Sequence, residues 1–342
     1  MTQIALHTRL ANFVRWIRPD PDTVEETRKQ RDEVRERIKG KAEADGLIVR
    51  SMPNSGSFAK ATGLRRHMLG NAEHEGQDID CPFVVSRKDE DGDVLDELLG
   101  RFDGYAKESY PDTPRDRTKS SVNLMFVASK RTFDLVPMLA VDGDDEEQIL
   151  LRANGERRRT SSRKHVDFVK RRTAKSQELR GPVLFNDGVR LFKWWREYQV
   201  TQSKILEEVP TFLVELLCAK AFDEVSVQAT YPETLQTWLD KIHSYAARRA
   251  DVTFRDYATA QPEKLAAKWK VVDPVNGQNN AVPGPWGGIQ IDEFRDWAAS
   301  ARDKLQQAMA FEMRGRDAEA VSLLAEVFGP SFANHSEAGC TP

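Results

Sequence analysis

The spacing of apolar residues changes near residue 160. Before that point, short apolar runs alternate with helix-like stretches. Residues 23–45 are dense in Glu, Arg and Lys, with Val24, Val34 and Ile38 as sparse apolar positions. This pattern predicts a long surface helix, N-capped by Asp22 or Thr23 and ending near Gly40 to Gly46. Leu47-Ile-Val-Arg-Ser-Met reads as a short strand, and Asn54-Ser-Gly-Ser as a turn into the helix-prone Phe58-Ala-Lys-Ala-Thr. A polar loop over residues 65–77 precedes a strand over 78–85. An amphipathic helix over 93–105 follows. Two strands over 121–127 and 131–139 are then joined by a tight turn through Ala128, Ser129 and Lys130.

Beyond residue 160 the apolar positions take helical spacing. Residues 183–198 carry Leu184, Val189, Leu191, Phe192 and Trp195, and residues 210–222 carry Phe212, Leu213, Leu216 and Leu217. Further helices are expected over 235–247 and 292–313, with a Pro- and Gly-punctuated linker over 271–288. The pattern predicts an α+β chain: a lobe with a mixed sheet over 1–180, including an N-terminal helix, and a mainly helical lobe over 181–334. Residues 335–342 read as a flexible tail.

Composition refines this picture. The 342 residues are 39% hydrophobic and 31% charged, with a mean hydropathy of -0.59, which suits a soluble globular protein. The net charge of -3 hides segregation, because residues 152–180 hold eleven Lys and Arg against three acids while 89–96 and 142–147 are acidic. Such a basic stretch needs an anionic partner or a solvated face. The apolar run at residues 10–17 is too short for a signal peptide or a membrane span. Cys81, Cys218 and Cys340 follow no metal-ligand spacing, so the expectation is a reduced, cytoplasmic protein without structural zinc.

The candidate chemistry lies in three aspartates and a small-residue turn. Asp78 and Asp80 stand two apart on an expected strand, so their side chains share one face. Adjacent carboxylates repel unless a cation lies between them, and hard oxygen donors suit Mg²⁺. Asp134 lies in the apolar strand Phe133-Asp-Leu-Val-Pro, where a charge is costly without a purpose. If the two strands are neighbours, three carboxylates converge on two ions. The Gly56-Ser57 turn would offer backbone N–H groups and a hydroxyl to a phosphate. Blander readings are exposed strand-edge carboxylates for Asp78 and Asp80, a buried structural carboxylate for Asp134, and an ordinary turn for Gly56-Ser57.

The ordered segments Asn54-Ser-Gly-Ser-Phe-Ala-Lys-Ala-Thr-Gly-Leu-Arg, Gln77-Asp-Ile-Asp and Phe133-Asp-Leu-Val-Pro-Met-Leu resemble the bacterial cGAS/DncV-like nucleotidyltransferases of CBASS anti-phage defence, relatives of the oligoadenylate synthetases. Leu191-Phe-Lys-Trp-Trp-Arg, Pro210-Thr-Phe-Leu-Val-Glu-Leu-Leu, Val272-Asp-Pro-Val-Asn-Gly-Gln-Asn-Asn and Val327-Phe-Gly-Pro-Ser-Phe are also similar to that family's segments, in order. The resemblance implies a polymerase-beta-like core. It implies that Asp78, Asp80 and Asp134 are catalytic and hold two Mg²⁺, with Mn²⁺ as a substitute. It also implies that Gly56, Ser57, Lys193 and Thr211 bind nucleotide. Lys193 could instead be a surface lysine and Thr211 a helix cap, while Trp194 and Trp195 read as core.

Two departures stand out. Asp78 lies 22 positions after Gly56, so residues 67–77 look like an inserted loop, and Ala61 stands where relatives often carry Gly. The absence of a Cys/His cluster argues against direct activation by double-stranded DNA. The implied reaction joins ATP, with or without a second NTP, into a cyclic di- or trinucleotide second messenger, by attack of a ribose hydroxyl on an α-phosphate. The alternatives are a linear transferase that makes oligoadenylate or extends RNA ends, with residues 152–180 as an RNA face, and a catalytically inactive regulatory relative. Implied partners are a product-activated effector and either HORMA-domain and AAA+ regulators or a ubiquitin-transfer-like protein acting on the tail that ends Gly339-Cys-Thr-Pro. No membrane is expected, and nucleic acid is left open.

Overall fold

The computed structural model describes residues 5–69, 72–76, 79–86, 95–151, 157–203 and 209–337. Two compact units form: Pro19–Asp167, and Met1–Arg18 together with Phe168–Pro342. The expected division at residue 180 therefore shifts. The N-terminal helix α1 (Ala5–Ile17) groups with the helical unit, and the boundary falls inside α5 (Ser162–Glu178).

The first unit opens with α2 (Pro21–Ala44). Its cap is Asp20, two residues before Asp22 and three before Thr23, because Pro21 fills the first helical position where no N–H is needed. The Asp20 carboxylate accepts from the amides of Asp22 (2.9 Å) and Thr23 (3.2 Å). Thr27, Arg31, Val34, Arg35, Ile38 and Ala42 form its buried stripe at helical spacing. After β1 (Ile48–Ser51) and α3 (Gly56–Lys60), the expected loop holds a small hairpin of β2 (His67–Leu69) and β3 (Ala72–His74). Its base is closed by Leu64 N–H to the Gly76 carbonyl (2.7 Å). A Cβ at Gly76 would lie 2.2 Å from the Arg65 carbonyl, so only glycine fits there.

The main sheet follows with β4 (Ile79–Ser86), β5 (Arg115–Arg117), β6 (Val122–Phe126), β7 (Arg131–Val141), β8 (Asp144–Leu151) and β9 (Arg157–Thr160). The order is β1-β4-β7-β6-β5, with β8 also on β7 and β9 on β8. The long strand β7 runs parallel to β4 along one side. Along its other side it pairs antiparallel with β6 and then with β8. Ile79, Cys81, Phe83 and Val85 of β4 and Phe133, Leu135 and Leu139 of β7 share one face. They pack into one core with α2 and with α4 (Leu95–Ser109) through Ile38, Leu98 and Phe102.

In the second unit, α1 joins α5, α6 (Phe185–Val200), α7 (Thr211–Val225), α8 (Tyr231–Arg248), α9 (Gly288–Glu312), α10 (Asp317–Phe328) and α11 (Pro330–His335). Trp194 and Trp195 are buried, as expected of core residues. Buried Arg172 pairs with Asp223 and Asp256 and lies 3.7 Å over the Phe168 ring, so one residue of the basic stretch is an internal staple. Asp187 is fully buried and held by Arg18, Arg190 and Tyr231. The expected tail is corrected at its start. His335 stacks on Trp16 with centroids 3.9 Å apart, and Ser336 is buried. The last residues, including Gly339-Cys-Thr-Pro, lie outside the described ones.

Candidate active site

The turn between β1 and α3 is set by two contrasting residues. Ser55 is extended (φ -145°), and Gly56 follows at φ +76°, a left-handed conformation that favours glycine. Ser55 occupies the N-cap position of α3 but makes no side-chain cap bond. Its hydroxyl instead donates to Asp80 Oδ2 at 3.2 Å. The turn that carries Gly56 and Ser57 is thereby tied to a strand carboxylate. Ala61 ends α3 at φ +54°, also left-handed, which explains why glycine suits that position better.

Asp80 and Asp134 are register partners across the parallel pair β4 and β7. Both are half-buried and point away from the core face, since their neighbours Ile79, Cys81, Phe133 and Leu135 fill that core. The sheet therefore places two like charges side by side, an arrangement that costs stability unless a cation offsets it. Asn123 of β6 is the register partner of Asp134 on its other side, so a row of Asp80, Asp134 and Asn123 crosses three strands. Asp78 lies outside the described residues. Among the described residues no group of three His, Cys, Asp or Glu side chains forms a metal-binding cluster. The described part of the site contributes two carboxylates and neighbouring amide and hydroxyl oxygens, a donor set that fits a hard divalent cation. Beside Asp80, burial pushes the Cys81 thiol up to about 12 even though the Arg35 guanidinium opposes the shift. That thiol is inert packing.

Lys193 and Thr211 lie in the helical unit. Lys193 is buried rather than snorkelling, and its ammonium stands 3.7 Å from the buried Glu215 of α7. Thr211 is the first residue of α7, one turn before Glu215 on the same face. Pro210 takes the N-cap position without a side-chain bond, so Thr211 is not the cap. The Asp-Pro loop closes on itself. Asp273 accepts from the amides of Val275 (2.8 Å) and Asn276 (3.3 Å) and from the Asn279 amide group (3.0 Å), and Asn280 accepts from Val271 N–H (2.9 Å). Its motif residues thus build the loop.

Three residues of the sheet unit escaped the sequence reading: Ser55, Asn123 and Arg35. Ser55 was signalled only by its place before Gly56, and Asn123 by its alternation with Val122 and Leu124. Arg35 lay within a helix read as a surface element.

A mixed sheet with paired strand carboxylates, followed by a helical unit, is the architecture of polymerase-beta-like nucleotidyltransferases. The family model of the Second Messenger Oligonucleotide or Dinucleotide Synthetase domain matches residues 4–172. The chain is 28% identical over 295 residues to a cyclic AMP-AMP-AMP synthase from Escherichia coli (strain MS 115-1), covering 84% of each chain. Among solved structures it is similar to E. coli MS115-1 CdnC in a complex with HORMA-deltaN, with a TM-score of 0.77 and 27% identity over 95% of this chain and 98% of the other. The same CdnC with ATP gives a TM-score of 0.76 at 26% identity, again covering 95% and 98%. Bradyrhizobium diazoefficiens CdnG, solved with GTP, shares the fold at a TM-score of 0.71 and 14% identity, covering 96% of each chain. These matches support a nucleotidyltransferase that makes cyclic oligonucleotide second messengers, similar to the bacterial cGAS/DncV-like enzymes of CBASS defence.

Proposed function

We propose that this chain joins ATP, alone or with a second NTP, into a cyclic di- or trinucleotide in a Mg²⁺-dependent reaction. The observation that carries this reading is the Ser55 hydroxyl on Asp80 beside its register partner Asp134. Asp80 and Asp134, with Asp78, would hold the divalent ions. When bound, these ions supply charge neutralisation at the triphosphate and acidify the attacking hydroxyl. The Gly56-Ser57 turn positions the phosphates through its backbone amides and the Ser57 hydroxyl. Lys193 and Thr211 are proposed as further nucleotide-binding residues. Much of the remaining rate comes from holding the two nucleotides in reacting geometry.

No helix among the described residues is long and apolar enough to cross a membrane. The E. coli relative solved in a complex with HORMA-deltaN supports a HORMA-domain regulator for this chain. An effector activated by the product is proposed only on the family resemblance. The basic stretch gives less support to an RNA-extending enzyme. Arg159 and Lys164 pair with Glu147, Arg163 with Glu146 and Asp167, and Arg172 with its two aspartates. Incubation with the four labelled NTPs and Mg²⁺, followed by nuclease and phosphatase digestion and mass spectrometry, tests the reading. A resistant cyclic product is expected. A ladder of linear products would overturn cyclisation.

A further inference from the structure

Arginine is unusual in the buried stripe of a helix, because its charge must be satisfied by fixed partners. The buried stripe of α2 contains two, Arg31 and Arg35. Arg35 has only 6% of its surface exposed. One of its terminal nitrogens, Nη2, donates to the Pro53 carbonyl at 2.9 Å. The other, Nη1, donates to Asn54 Oδ1 at 3.2 Å. Nη2 also approaches the Asp80 carbonyl at 3.5 Å, a longer contact. Arg31, one turn earlier, lies 5.7 Å over the ring of Phe58 in α3. The two arginines thus engage the residues before and after Ser55-Gly-Ser57, and Arg35 also reaches the strand carrying Asp80.

We propose that Arg35 is a positioning residue for the nucleotidyltransferase site, a planar fork that fixes the Gly56-Ser57 turn relative to the Asp80 strand. The proposal rests on the function proposed above. Its physical basis is the geometry of the guanidinium. Nη1 and Nη2 diverge at a fixed angle, so bonds to Pro53 and Asn54 set both the height and the tilt of the turn. From that turn Ser55 reaches Asp80, so an error in the turn is passed to the carboxylate through the hydroxyl. Arg35 makes no contact with reacting atoms in this account. It acts through Pro53, Asn54 and Ser55. A lysine keeps the charge but presents one nitrogen and cannot serve both acceptors with the same geometry.

The experiment compares the full-length parent with Arg35→Lys, Asn54→Ala and Asp80→Asn. It measures kcat and KM for ATP by pyrophosphate release, Mn²⁺ affinity by electron paramagnetic resonance, and thermal melting. Arg35→Lys is expected to lower kcat and Mn²⁺ affinity by about 10–100-fold, the range typical of groups that orient metal ligands. Asn54 is exposed, so Asn54→Ala empties no core position and is expected to fold, with a melting midpoint lowered by the loss of one acceptor of the buried guanidinium and with a lower kcat. The kcat loss shrinks or vanishes in the Arg35→Lys background because the two residues share one bond. Parent-like kcat and Mn²⁺ affinity in Arg35→Lys overturn the proposal. If Arg35→Lys does not fold, Asn54→Ala decides alone, and an unchanged kcat overturns it. Asp80→Asn separates the two levels. If the parent releases no pyrophosphate from any NTP and Asp80→Asn leaves Mn²⁺ affinity unchanged, the nucleotidyltransferase reading fails. If Asp80→Asn abolishes turnover while Arg35→Lys does not reduce it, only the positioning role falls.

Discussion

Ser55 donates its hydroxyl to Asp80 Oδ2 at 3.2 Å and leaves the N-terminus of α3 without a side-chain cap. A serine at this position ordinarily accepts from the helix amides. Here the hydroxyl is used across 25 residues of sequence to orient a carboxylate. Ser55→Ala removes the bond without emptying a core position, because Ser55 is only half-buried. Pyrophosphate release is expected to fall about tenfold, as for other groups that orient metal ligands, with little change in melting. Ser55→Thr, which keeps the hydroxyl, is expected to recover most of the rate. Full activity in Ser55→Ala would show that Asp80 needs no such orientation.

The register pairing of Asp80 with Asp134 makes opposite predictions for stability and activity. Like charges directly opposed on neighbouring strands destabilise the fold. In chelator-treated protein, Asp80→Asn and Asp134→Asn are each expected to raise the melting midpoint or leave it unchanged. Both substitutions are expected to abolish Mg²⁺-dependent pyrophosphate release. The test is melting with and without Mg²⁺. Parent protein gains stability on Mg²⁺ addition through binding to the folded state, and the Asn variants lose most of that gain. A variant that melts lower in chelator and still gains from Mg²⁺ would point to a structural carboxylate instead.

How legible the chain was depended on where each element's pairing came from. The strands bearing Asp80 and Asp134 could be read because apolar runs, Cys81-Pro-Phe-Val-Val and Leu135-Val-Pro-Met-Leu, follow the two aspartates. The strands β8 and β9 could not, because Asp144, Glu146, Arg157 and Arg159 read as charge runs. Their strand character comes from pairing with each other and with β7, and such charges are common on edge strands. The hairpin at residues 67–74 was hidden for a related reason, since three-residue strands carry too short a pattern to register. In the helical unit the apolar spacing predicted α6 and α7 well. It did not show that Lys193 is buried against Glu215, since a lone charge in an amphipathic pattern gives no sign of its partner. Ser55 and Arg35 were missed because their significance is a contact with residues remote in sequence.

Ala61 ends α3 in the left-handed region at φ +54° and ψ 40°. An L-residue with a Cβ there is strained by about 1–2 kcal/mol, a cost that glycine avoids. Ala61→Gly is therefore expected to stabilise the sheet unit by roughly 1 kcal/mol. Part of that gain is offset by the greater freedom of glycine in the unfolded chain. Thermal melting of the variant checks the sign, and pyrophosphate release is expected to stay near the parent value because the α3 cap is retained. A lower midpoint would mean that the alanine methyl makes packing contacts worth more than the relieved strain.

His7 of α1 supplies the pH dependence most open to measurement. Its Nδ1 accepts from Tyr231 N–H at 3.2 Å, and its ring stacks on Tyr231 with centroids 5.4 Å apart. Accepting at Nδ1 requires the neutral ring. Burial lowers the His7 pKa from its ordinary value, and Glu233 opposes this only in part. The unfolded chain takes up the His7 proton near pH 6.5, before the folded protein does. Between that pH and the lower folded value the unfolded state binds more protons, so stability falls as pH falls. The contribution is complete above pH 6.5 and is lost on acidification through this window. His7→Gln keeps an acceptor near Tyr231 N–H but cannot titrate. Its melting midpoint is expected to fall less than the parent's between about pH 7 and pH 5, a window set by the ordinary histidine value. Parallel curves for the two proteins across that window would show that His7 remains neutral, or is equally protonated, in both states.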